Sequence, residues 1–160
     1  MRRLALALSM LCGCGAGARG GPQVPLELTI QGVAPTDVSE LQVILAAPSS
    51  KFDPLSHPQT CTKSWIPADQ TLQLTGSDGK QHPSQLIPIS GAGATTATVT
   101  GIPAAKQVLL IVEAISSDHK LVGLGFKAPI DEIDTGDNPP VSVTVTGFDP
   151  VDCGTGGAEY

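Results

Sequence analysis

The chain reads as all-β, a single antiparallel β-sandwich of seven to eight strands over residues 24–153. Three observations lead there. Short segments alternate apolar and polar residues with period two, as half-buried strands require. Glycine, proline and aspartate turns separate them. No segment has the 3.6-residue periodicity of an amphipathic helix, and many short strands with such turns indicate a sandwich.

The first strand starts after Pro25, where Leu26, Leu28 and Ile30 alternate with Glu27, Thr29 and Gln31. Residues 32–39, with Pro35, Thr36 and Asp37, break the pattern. The second strand covers 41–46 and presents Leu41, Val43 and Leu45 on one face. Residues 47–60 hold three prolines and little periodicity, which argues against a central strand and for a long loop. Cys61 and Trp65 are expected to pin its far end.

A short strand follows at 71–74, then the turn Gly76-Ser-Asp-Gly79. Residues 85–89 read as an edge strand, because Pro88 lacks the N–H that a central position needs. Ala97 and Val99 then alternate with Thr96, Thr98 and Thr100. The most hydrophobic run, Gln107 to Ile115, predicts a central strand buried on both faces. Ser116-Ser-Asp118 turns the chain into a strand over 120–127, and Val141, Val143 and Val145 mark the last one.

Within this pattern, Val99-Thr-Gly-Ile-Pro103, Val108 to Ala114, Leu121-Val-Gly-Leu-Gly125 and the valine strand resemble the prealbumin-like domains related to carboxypeptidase regulatory domains. The resemblance covers about fifty residues and implies an immunoglobulin-like or prealbumin-like sandwich with no catalytic residues. Ala104-Ala-Lys106 stands where the family commonly has a glycine after the corner.

Outside the domain, Arg2 and Arg3 precede an apolar run from Leu4 to Leu11. That run is far shorter than the roughly 20 residues needed to cross a bilayer and matches an export-signal core. It ends in Leu11-Cys12-Gly13-Cys14, which resembles the lipobox of bacterial lipoproteins, with Cys12 where a small residue such as Ala or Ser is commoner. The resemblance implies removal of residues 1–13, lipidation of Cys14, a tether over 14–23 and a place in the cell envelope. Because Gly15 follows Cys14, the family's sorting rule points to the outer membrane. Ala16-Gly-Ala18 also fits ordinary signal cleavage, which would release a periplasmic or secreted protein. Residues 154–160 form a short tail without strand pattern.

Loss of Arg2 and Arg3 takes the formal charge from −6 to −8. Without a basic patch, the charge argues against nucleic-acid binding and against attraction to anionic lipid, so a membrane partner would be reached through the lipid alone. Cys61 and Cys153 are the only cysteines in the domain, and in an exported chain such a pair predicts a disulfide.

Signals of catalysis are lacking. His57, His82 and His119 stand in expected loops, and no Gly-x-Ser-x-Gly elbow, His-Glu-x-x-His or phosphate loop occurs. A spatially assembled hydrolase site stays as the least favoured alternative. Asp131, Asp134 and Asp137 are a weak calcium candidate, since the order departs from the usual calcium loop and Pro139-Pro140 follows; a solvated turn is preferred. The sequence therefore predicts a non-enzymatic envelope module without a cofactor. Its partner-binding residues would be Phe52, His57 and Trp65, and its partner an envelope protein or glycan. Trp65 as a sugar-stacking residue is the alternative.

Overall fold

The computed structural model describes residues 24–34, 37–47, 61–89, 95–134, 136 and 138–154. Strands take up 59% of these and no α-helix occurs among them, which bears out the all-β class. The strands are β1 (Val24–Gln31), β2 (Glu40–Ala46), β3 (Leu74–Thr75), β4 (Gln81–His82), β5 (Ser84–Pro88), β6 (Thr95–Val99), β7 (Ala105–Ile115), β8 (Leu121–Ile133) and β9 (Val141–Val151).

Seven strands share one sheet in the order β5-β2-β7-β8-β9-β1-β6, and β3 pairs with β4 in a small hairpin. Every neighbouring pair is antiparallel except β1 and β9, which run parallel from Leu26↔Val141 to Gln31↔Thr146. The sheet curls until it nearly closes into a barrel. Hydrogen bonding thus runs through one continuous sheet, where the sequence predicted two facing ones. The physical reason lies in β1, which bonds to β6 on one side and β9 on the other. The long strands β7 and β8 also carry register shifts at Val108/Leu110 and Ala114/Ile115, and such bulges bend a sheet.

The inner face forms the main core. Leu26 and Leu28 of β1, Leu41 and Val43 of β2, and Val143 and Val145 of β9 are buried there, while Glu27, Thr144 and Thr146 face water. At roughly 1.5–3 kcal/mol for each fully buried aliphatic side chain, this alternation fixes the register, because a one-residue slip would turn the leucines outward. From Val108 to Ile115 every residue of β7 is buried, as expected of a two-faced central strand. β2 is also covered on both faces: Ile44 and Ala46 belong to a second, outer cluster with Ile66, Leu109, Ile111 and Leu124.

Glycines stand where strands meet too closely for a side chain. A Cβ on Gly125 would lie 2.7 Å from the Thr144 carbonyl oxygen, and one on Gly147 would lie 1.9 Å from Val33 Cγ2. Several elements differ from their expected limits. Thr71 makes only an isolated bridge to Ala46, and the short strand moves on to Leu74–Thr75. β8 continues past Lys127 to Ile133, through a cis Ala128–Pro129 bond, and β9 runs on to Val151.

Candidate functional site

Two regions of the described structure combine polar groups with shape. The first is the outer face of β2, β7 and β8. Its centre is Glu113, which alternation along β7 turns outward and which is nevertheless fully buried. The segment from Cys61 to Ile66 crosses over it. A 3-10 turn at Thr62–Ser64 places both the Thr62 backbone N–H (3.2 Å) and the Thr62 hydroxyl as donors to Glu113 Oε1. Ile66 N–H closes the segment onto the Thr62 carbonyl at 2.8 Å, and the Ile66 side chain is buried in the outer cluster.

The segment is tied down covalently as well. Cys61 and Cys153 form a disulfide with Cα atoms 5.8 Å apart, joining the strap to the chain just after β9. Trp65 is half-buried against the outer cluster, as is Phe148, and its indole nitrogen is out of solvent. An isolated buried carboxylate costs several kcal/mol, and two donors from one threonine offset part of that. The arrangement fixes the strap in place and leaves Glu113 closed to a substrate. Sequence reading passed over Glu113, although a lone acid inside Gln-Val-Leu-Leu-Ile-Val-Glu-Ala-Ile115 signals a buried polar contact.

The second region is a cleft at the end of the barrel where β1, β7 and β9 finish. About 330 Å³ in volume, it lies between the Gly32–Ala34 corner, Asp37, the Ser116–Asp118 turn, Val122, Phe148 and Pro150. The turn is held by its own side chains. Ser116 Oγ donates to Asp118 Oδ1 at 2.5 Å, Lys120 Nζ lies 3.0 Å from Asp118 Oδ2, and Lys120 N–H donates to Ser116 Oγ at 3.1 Å. The Ser116 hydroxyl first, and Lys120 second, hold the Asp118 carboxyl below its ordinary value.

The remaining residues singled out in the sequence are scattered. Cys14, Phe52, His57 and Asp137 lie outside the described residues. Asp131 is exposed near the end of β8, where it accepts Gln107 Nε2 at 3.0 Å. Asp134 lies just past the end of β8, in a turn closed by Asn138, whose Oδ1 accepts the Asp134 N–H at 2.8 Å. Among the described residues no three His, Cys, Asp or Glu side chains are grouped to hold a metal ion. His82 pairs with Asp78 at 3.0 Å, and His119 sits in the β7–β8 turn with its backbone N–H on the Ser116 carbonyl at 3.0 Å. No helix among the described residues is long and apolar enough to cross a membrane. The chain matches no protein-family model, and a search of curated proteins finds no similar one.

Proposed function

We propose that the chain is a non-enzymatic, lipid-anchored protein of the bacterial cell envelope, most simply of the outer membrane, whose β domain is an interaction or structural module. The observation that carries this reading is the junction Leu11-Cys12-Gly13-Cys14 behind an arginine-flanked apolar run. The Cys61–Cys153 disulfide supports it independently, because such bonds persist in oxidising compartments. The domain begins at Val24, which leaves the short tether 14–23 between it and a lipid on Cys14. The module's finer architecture is an immunoglobulin-like or prealbumin-like sandwich made by folding one sheet over itself. Its support is a single core that draws on β2 and β7 from one half and on β1, β6 and β9 from the other.

Partner recognition would fall to the 48–65 segment, with Phe52, His57 and Trp65 as contacts, since loops on rigid scaffolds commonly carry binding. The pinned end of that segment lies over the outer face, which gives it a fixed base. Metabolic labelling with palmitate tests the anchor. The parent chain should take up label and fractionate with membranes, and Cys14→Ala should do neither. An unlabelled parent chain, processed after Ala18 and found in the soluble fraction, would overturn the reading.

A further inference from the structure

We infer that the cleft at the end of the barrel docks a polypeptide segment that presents a cationic side chain beside a small aliphatic one. The inference rests on the interaction-module reading and not on the anchor, so it could fail while palmitate labelling succeeds, and the reverse.

The floor and rim of the cleft differ in chemistry. Val33, Val122, Phe148 and Pro150 supply apolar surface, and Asp37 and Asp118 supply carboxylates, while no lysine or arginine is among the described residues that line it. Lys120, at the end of the same turn, pairs with Asp118 and offsets that carboxylate. Asp37 is exposed and takes part in none of the ion pairs formed among the described residues. An apolar lining beside the Asp37 carboxylate, which no described cation holds, favours an occupant that is apolar at its centre and positive at its edge. It disfavours nucleic acid and anionic glycans, which the rim repels.

Size narrows the occupant further. A volume of about 330 Å³ is at the lower limit of small-molecule sites and accommodates one or two side chains. Two stretches of the frame are closely packed or bonded. The Gly32–Ala34 corner is locked by the close approach of Gly147 to Val33, and the opposite wall by the Ser116–Asp118–Lys120 bonds.

Position agrees with this role. β1 begins at Val24 and reaches the cleft at Gly32, so its eight residues put the groove about 25 Å along the strand from the tether. The groove therefore lies at the opposite end of β1 from Val24.

The test uses the full, disulfide-bonded chain and fluorescein-labelled hexapeptides, followed by anisotropy at low salt. An alternating arginine–valine peptide should bind, an arginine–serine peptide should bind at least about tenfold more weakly, and a glutamate–valine peptide should not bind. Asp37→Asn should weaken the first peptide about tenfold, and added salt should do likewise. Ala34→Phe, at an exposed lining position, should block it by filling the groove. Unchanged melting of both variants shows that they are folded. If Ala34→Phe melts early, Asp37→Asn alone decides. Equal binding of the serine and valine peptides would overturn the proposal, as would spermidine binding as tightly as the peptide. So would a folded Ala34→Phe or Asp37→Asn variant that binds like the parent chain.

Discussion

The side chain of Gln85 joins the two free margins of the sheet: its Oε1 accepts the backbone N–H of Thr100 at 3.0 Å. Gln85 belongs to β5 and Thr100 directly follows β6, the two strands at the ends of the seven-stranded order. Where a closed barrel would have a backbone ladder, one amide side chain makes the link. Gln85→Ala should lower stability by about 0.5–1.5 kcal/mol, the net worth of one hydrogen bond. Because open strand edges invite pairing between molecules, the variant should also elute earlier on size exclusion at high concentration. Urea midpoints and elution volumes check both.

Thr62 donates to buried Glu113 from both its backbone N–H and its hydroxyl. Thr62→Val keeps the shape and the backbone N–H but removes the hydroxyl. Leaving a buried polar group without one of its partners costs about 1–3 kcal/mol, so the variant should lose about that much. Thr62→Ser, which keeps the hydroxyl, should lose far less. Equal losses would mean that the methyl group, and not the hydroxyl, matters at this position.

The Cys61–Cys153 bond closes a separation of 92 residues. Chain entropy assigns such a loop about 4–5 kcal/mol, and measured values for native disulfides are commonly about 2–4 kcal/mol. The double variant Cys61→Ser with Cys153→Ser should be destabilised by that smaller amount in chemical denaturation. Release of the strap should also shift the emission of Trp65, the only tryptophan, to longer wavelength.

Two glycines separate backbone strain from steric clash. Gly101 has φ +68 and its Cβ would lie 2.1 Å from the Thr75 carbonyl oxygen, whereas Gly79 has φ +75 and open space around it. Gly79→Ala should cost about 1–2 kcal/mol from the left-handed backbone alone. Gly101→Ala adds overpacking, so it should cost about 1–3 kcal/mol more. Thermal denaturation of the two variants gives the difference.

Acid stability has two identified contributors. The Lys80 backbone N–H first, and His82 second, hold Asp78 below the ordinary 3.8; Asp118 is lowered by Ser116 and then Lys120. A carboxyl with a lowered folded-state pKa contributes stability above 3.8 that disappears as pH falls through the folded value. NMR titration should place both midpoints below 3.8. The Asp78→Asn, Asp118→Asn double variant should lose stability less steeply between about pH 4 and pH 2.

The fold was legible wherever one face of a strand is wet. Alternation at Leu26 and Leu28 and at Val143 and Val145 located β1 and β9, and the apolar run to Ile115 located the two-faced β7. Partner choice was not legible, because period two tells a strand which face to bury and not which neighbour to bond. The parallel β1–β9 pair, the single continuous sheet and the extension of β8 across Pro129 all follow from tertiary contacts. Pairing of Cys61 with Cys153 was readable by elimination. The cleft was not, since Val33, Ser116 and Phe148 come from three separate turns or strand ends.

The parallel pairing of β1 with β9 also sets a timetable. Leu26, near the start of the domain, has its partner in Val141, and Ile30 has its partner in Val145. Contacts so distant along the chain slow folding, because the intervening segment must be ordered before they form. As the chain emerges from its N-terminus, β1 cannot take its final place until the last strand has arrived, and Cys61 must likewise wait for Cys153. A polypeptide that cannot finish its sheet early carries β1 with its β9-facing edge unpaired until the last strand is made, and an open edge is where two incomplete chains would join.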